Sequence, residues 1–128
     1  RKYTKKKVII CDLVNNNNFS TKNLYLGTTN YFKYLNKKID LVFNSNSFSE
    51  MSEKDIWHYF KFIDIYKAKY IYHQNSNILL FPNSARHIET ISKDFPINKK
   101  KYKLLFHNIS LWGSGSGRYR EYIYERSR

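Results

Sequence analysis

The stretch Ile39–Met51, IDLVFNSNSFSEM, decides the fold that the sequence predicts. It begins with an apolar run over residues 39–43, interrupted only by Asp40, of the kind that forms a strand buried on both faces of a sheet. The run breaks at Asn44 into small polar residues, so the strand is predicted to end there. Ser52 then marks a helix start. The polar loop therefore joins the carboxyl end of a strand to a helix, which is where open α/β sheets bind their ligands.

The residues after Ser52 predict a helix that continues to about Ile65. Ser52 is a favourable N-cap residue, and Glu53 and Asp55 place acidic side chains in the first turn, where the helix dipole favours them. Apolar side chains recur at helical spacing and form its inward face: Ile56, Trp57, Tyr59, Phe60 and Ile63.

Apolar strands alternate with helical patterns along most of the chain, which predicts an α/β fold with a mostly parallel sheet and a C-terminal antiparallel hairpin. Parallel strands are expected near residues 7–11, 23–27, 39–44 and 69–74, and the antiparallel pair near 102–107 and 119–125. Two further helices are predicted, over residues 28–35 and 84–92. The glycine-rich run 113–117 lies between the last two strands, so we interpret it as a hairpin loop.

The size and composition indicate one folded domain with an ambiguous charge signal. The chain has 128 residues, and its 18% aromatic content argues against disorder. Its formal net charge of +13 would suit a polyanionic partner. However, Lys, Asn, Ile and Tyr are abundant together, as an AT-rich genome imposes on any protein. A nucleic-acid partner is therefore possible but not favoured.

Metal sites, disulfides and membrane spans are not predicted. Cys11 is the single cysteine, so no internal disulfide can form. The four histidines, His58, His73, His87 and His107, show no metal-ligand spacing. No apolar segment is long enough for a membrane span and no signal peptide is evident, which predicts a cytoplasmic protein.

The central stretch resembles the sugar O-methyltransferase family, enzymes with a Rossmann-like fold that use S-adenosylmethionine. In that family a buried strand with a leading Asp runs into an Asn/Ser turn and then Ser-Phe-x-Glu-Met. The matching residues here are Asp40, Asn44, Ser47, Phe48, Glu50 and Met51. The acidic-Pro turn at Asp94 and the aromatic strands up to Arg126 also resemble the family's C-terminal end. The resemblance implies methyl transfer to a hydroxyl group of a sugar or glycan.

The resemblance also assigns candidate site residues. Asp12 and Leu13, at the end of the first strand, would bind the cofactor together with Asn44. The Asp12 carboxylate would accept hydrogen bonds from the ribose hydroxyls of the cofactor. The substrate would contact Asn46, Ser47 and Asn75, and the candidate catalytic residues are Glu50 and His73. Each has a plain structural alternative: Asn and Ser form turns, Asp and Glu cap helices, and a single His at a strand end is commonly structural.

The chain departs from the family because no glycine-rich turn precedes Val8. We therefore expect the C-terminal part of a longer methyltransferase, a single partial domain over residues 1–128 that binds little S-adenosylmethionine alone. The first strand of the family's sheet would be absent, so the strands at 8–11 and 39–43 would leave a gap or pair directly, and the isolated chain would be poorly soluble or oligomeric.

Two other functions stay open. One is a non-catalytic remnant or interaction domain. The other is a nucleic-acid-binding module that contacts phosphates through basic residues. Those residues are Lys5 to Lys7, Lys99 to Lys101, Arg118, Arg120, Arg126 and Arg128.

Overall fold

A computed structural model describes residues 8–10, 24–26, 38–79, 90–111 and 117–128 of the chain. The chain divides into two compact units, residues 1–37 and 38–128. In the first unit, strands β1 (Val8–Ile10) and β2 (Leu24–Leu26) form a parallel pair, as the sequence predicts. The predicted helix over residues 28–35, and most of the one over 84–92, lie outside the described residues.

The second unit contains a four-stranded sheet and the one α-helix of the described chain. Its strands are β3 (Leu41–Ser45), β4 (Tyr70–Ser76), β5 (Tyr102–Ile109) and β6 (Tyr119–Arg126), in the spatial order β3-β4-β6-β5. Helix α1 (Glu53–Ile65) connects β3 to β4. Short 3₁₀ turns cover Phe48–Glu50 and Ser92–Asp94.

The prediction of a mostly parallel, Rossmann-like sheet is wrong for this four-stranded sheet. Only β3 and β4 are parallel, while β6 is antiparallel to both β4 and β5. The predicted β5–β6 antiparallel pair is present, but β6 lies inside the sheet and β5 lies at its edge. Burial explains this order, because Tyr122 of β6 is buried beside His73 whereas the residues of β5 after Tyr102 are exposed.

Helix α1 forms where the sequence predicts it. The Ser52 hydroxyl accepts a hydrogen bond from the backbone N–H of Asp55 at 3.2 Å, and this N-cap satisfies one of the free donors of the first turn. Ile56, Phe60 and Ile63 are buried on the inward side of the helix. Trp57, predicted for the same side, is instead 57% exposed.

One face of the sheet, which we call the packed face, lies under α1. Its strand residues include Val42, Ile71, His73, Tyr122 and Tyr124. A single apolar cluster fills the space between this face, the helix and the segment around Phe95, which brings distant parts of the chain together. Its buried members are Phe48, Ile56, Phe60, Ile63, Ala68, Ile71, Phe95, Ile97 and Tyr102.

The opposite side of the sheet, the open face, carries an apolar row that crosses all four strands. Phe43, Tyr72, Ile123 and Phe106 are register partners in adjacent strands, and the rings of Phe43 and Tyr72 stack at 5.0 Å. Phe43 is 67% exposed and Phe106 is 41% exposed. The prediction that the 39–43 strand is buried on both faces is therefore wrong, because α1 covers only one of them.

The two edge strands of this sheet differ in regularity. β3 pairs with β4 in unbroken register from Leu41 to Ser45. In β5 the register shifts between Leu104 and Phe106, so Leu105 is an extra residue that forms a β-bulge against β6.

Candidate functional site

The predicted substrate loop lies at the carboxyl end of the parallel pair β3 and β4. Asn44 is the register partner of His73, and Ser45 is the partner of Gln74. Asn75 is the next residue of β4. The two polar strand ends are therefore adjacent, as expected for parallel strands.

Two asparagine side chains organise this loop. Asn75 is fully buried, donates to the Asn44 Oδ1 atom at 3.0 Å and accepts from the backbone N–H of Ser49 at 3.1 Å. The same Oδ1 atom of Asn44 accepts from the backbone N–H of Phe48 at 3.3 Å, and the Asn44 amide nitrogen donates to the Ser47 hydroxyl. Asn44 and Asn75 thus hold the 3₁₀ turn against the strand ends, and Phe48 inserts into the core.

The remaining loop residues face outward to different extents. Asn46 is exposed and has a φ of 61°, a left-handed conformation that asparagine tolerates better than most residues. Ser47 is half-buried. Glu50 ends the 3₁₀ turn with an exposed side chain, and no ion pair joins its carboxylate to any described residue. The structure therefore gathers Asn44, Asn46, Ser47, Glu50 and Asn75 in one region, while their assigned roles stay predictions.

His73 lies in the core of the packed face, away from solvent. Its ring is fully buried and lies 4.6 Å from the ring of Tyr122 and 5.0 Å from that of Phe95. Neither ring nitrogen has a hydrogen-bond partner among the described residues. Burial lowers the pKa of His73 to about 3, because the charged imidazolium would be poorly solvated there. A general base must reach its substrate, so this geometry does not support a catalytic role for His73.

The described residues do not complete a cofactor site. Asp12 and Leu13 lie outside the described part of the chain, so their assignment stays a prediction. Of the three predicted cofactor residues, Asn44 alone is described. Both hydrogen bonds that its Oδ1 atom accepts come from the loop and from Asn75, and one amide hydrogen is committed to Ser47. The described contacts make Asn44 an anchor of the loop, and its role toward the cofactor stays a prediction.

A polar chain across the sheet is a feature that sequence reasoning missed. The Ser45 hydroxyl donates to the Gln74 Oε1 atom at 3.1 Å, and the Gln74 amide donates to the Ser110 hydroxyl at 2.7 Å. Ser110 in turn donates to Glu121 at 2.9 Å. Alternation along β4 would place Gln74 on the face opposite His73, but only the register with β6 shows that Glu121 lies beside it.

A second missed cluster joins α1 to the last two strands. Asp64 pairs with Lys101 at 2.6 Å and with Arg126 at 3.2 Å, and Arg126 also donates to the Tyr102 hydroxyl at 3.1 Å. Burial raises the pKa of Asp64, but hydrogen bonds and charge from Lys101 and Arg126 outweigh it, so the pKa lies below its usual value. The Tyr102 hydroxyl also donates to the Ala68 carbonyl at 2.9 Å. These contacts fix the end of α1. They also pair Lys101 and Arg126, two of the basic residues that a nucleic-acid-binding module would use to contact phosphates.

Comparisons with protein-family models, curated proteins and solved structures find no match for this chain. Among the described residues, no helix has the length and apolar character needed to cross a membrane. The same residues contain no group of three or more His, Cys, Asp or Glu arranged to hold a metal ion.

Proposed function

We propose that this chain is part of an S-adenosylmethionine-dependent sugar O-methyltransferase of the cytoplasm, and that the Asn44–Glu50 loop contacts the sugar. The observation that carries the proposal is the loop's geometry at the carboxyl ends of β3 and β4. The amides of Asn44 and Asn75 anchor it from inside, and the Glu50 carboxylate is left outside without an ion-pair partner among the described residues. The resemblance of residues 39–51 to that family supports the same role.

In this proposal two exposed residues of the loop contact the methyl acceptor. Glu50 would accept the proton of the reacting sugar hydroxyl, a role for which a carboxylate must lie within hydrogen-bond reach. The exposed amide of Asn46 would bind a second hydroxyl. Asn44 and Asn75 would position the loop without touching substrate. S-adenosylmethionine would supply an electrophilic methyl group.

The test is methyl transfer by the product of the complete open reading frame that encodes these residues. Radiolabelled S-adenosylmethionine and a panel of free and nucleotide-linked sugars would serve as substrates. Replacement E50Q removes the proton acceptor and should lower kcat by about 100-fold or more with little change in KM. E53Q, at the exposed start of α1, is the matched control and should keep full activity.

Two results would contradict the proposal. A folded wild-type protein that methylates no sugar in the panel would rule out a sugar methyltransferase, and a fully active E50Q variant would rule out Glu50 as the base.

The open face favours a second candidate, an interaction domain without catalysis, because Phe43 and Phe106 expose apolar surface there. That candidate predicts a partner on the open face and no methyl transfer.

Nucleic-acid binding gains less support from the same face. Exposed aromatic side chains suit base stacking, but a phosphate backbone also needs nearby positive charge. The charged residues in register beside the apolar row are Lys103, Glu121 and Glu125, which together carry no positive excess. Arg126 and Lys101 are already paired with Asp64.

A further inference from the structure

A groove lies between one flank of α1 and the segment Pro96–Asn98. Its volume is about 410 Å³, within the range of small-molecule sites, and it shares no residue with the Asn44–Glu50 loop. The apolar lining comes from the helix, from the segment and from the start of β5. These lining side chains are Phe60, Ile63, Pro96, Ile97 and Tyr102.

Four exposed residues of α1 form the rim of this groove on the solvent side: Lys54, Trp57, His58 and Lys61. Lys54, Trp57 and Lys61 have the spacing i, i+3 and i+7, so they lie along one side of the helix. Trp57 is 57% exposed, although a large aromatic side chain is usually buried more deeply. Neither lysine ammonium group is engaged in an ion pair with a described residue, and both lysines are exposed. The rim therefore presents an aromatic surface between two available cations.

The charge of the lining is positive once its existing pairs are taken into account. Asp64 is the acidic residue of the lining, and its two carboxylate oxygens already contact Lys101 and Arg126, which lie outside the lining. The pKa of Asp64 below its usual value keeps it ionised and paired. Lys54 and Lys61 have no such compensation in the groove. An anionic group at the rim would gain attraction from both without displacing an existing pair.

We propose that this groove binds a small amphipathic anion. The aromatic ring or short acyl chain of the ligand lies on Phe60 and Ile97 and against Trp57. Its carboxylate, sulfonate or phosphate lies at the rim and contacts Lys54 or Lys61. An apolar floor with a few placed polar groups is the usual composition of small-molecule sites.

The test compares two fluorescent probes of similar shape, the anion anilinonaphthalene sulfonate and the uncharged phenylnaphthylamine. Both should bind the complete chain at the groove. The double replacement K54Q/K61Q should weaken the sulfonate about ten-fold, which corresponds to about 0.7 kcal/mol for each lysine, and should leave the neutral probe unchanged. Replacement W57A should weaken both probes, since it removes the aromatic surface.

Two control variants test whether the probes bind in the groove or elsewhere on the chain. K99Q/K100Q removes the same charge from exposed lysines outside the lining, and F43S removes apolar surface from the open face. Both should bind the two probes as the wild type does, with thermal unfolding measured for every variant to exclude misfolding. Equal weakening by K99Q/K100Q would mean that overall charge binds the sulfonate. Loss of either probe in F43S would place the probes on the open face. Either result overturns the proposal.

Discussion

The packed and open faces of the sheet are made from alternating residues of the same strands, but α1 and the segment around Phe95 pack against only the first of them. Ile71 and His73 point under α1 and are fully buried, whereas Phe43 points the other way and is two-thirds exposed. Both faces carry apolar and aromatic side chains. The difference shows that an apolar strand does not decide its own burial, because the element that covers it must be supplied elsewhere.

The largest expected contrast between the faces comes from removing one phenyl ring from each side. F60A empties a site in the core between Phe48 and Phe95 and should lower the free energy of unfolding by about 3 to 5 kcal/mol. F43A removes only a stacking contact with Tyr72 and should cost at most about 1 kcal/mol. Urea unfolding of the two variants measures both values. A cost of several kcal/mol for F43A would show that the open face is covered in solution.

The second contrast uses pH and the buried imidazole of the packed face. Burial lowers the pKa of His73 to about 3 from an ordinary 6.5. At pH values between these two, the unfolded chain binds a proton at this ring and the folded chain does not. Stability contributed by the neutral ring is complete above pH 6.5 and is lost as the pH falls. The loss attributable to His73 should be about 3 kcal/mol between pH 7 and pH 4.

Replacement H73F should remove this part of the acid sensitivity, since phenylalanine cannot take up the proton. The measurement is the difference in unfolding free energy between wild type and variant across that range. H107F is the matched control, because His107 also stacks on Tyr122 but is exposed. A wild-type protein whose pH dependence equals that of H73F would show that the imidazole reaches water.

The smallest expected contrast concerns polar residues at the same end of the sheet. N75A leaves the buried N–H of Ser49 without its acceptor and should cost about 1 to 3 kcal/mol. N108A, on the exposed edge strand β5, removes only a contact with the neighbouring backbone N–H and should change stability by no more than about 0.5 kcal/mol. Thermal unfolding of the two variants gives this comparison. Equal effects would mean that the loop does not depend on its buried amide.

The local structure of α1 and of the β3 end could be predicted because the signals are local. Ser52 caps the helix that follows it, and the change from Phe43 to Asn44 lies close to the observed strand end at Ser45. The parallel pairing of β3 and β4 also followed from the connecting helix. The position of β6 could not be predicted, because hairpin strands of similar pattern can enter a sheet in either order. Burial of Tyr122 beside His73 decides that order only in three dimensions.

The candidate site was predicted in part for the same reason. Neighbouring strand ends brought Asn44 and Asn75 together, as parallel pairing requires. The sequence did not show that these amides bind each other, nor that His73 faces the core, since either face of β4 was available. The groove beside Trp57 was not predicted, because the helical spacing of apolar residues assigned Trp57 to the core-facing side. In the structure Trp57 lies at the margin of that side and is exposed.

The bulge at Leu105 limits how this sheet can assemble. A regular ladder of hydrogen bonds cannot continue across an extra residue, and the neighbouring Lys103 would bring its charge to any strand added at β5. β3, the other edge of the described four-stranded sheet, pairs without a bulge. The bulge therefore disfavours the addition of further copies at the β5 edge, and with it the growth of a continuous sheet in that direction.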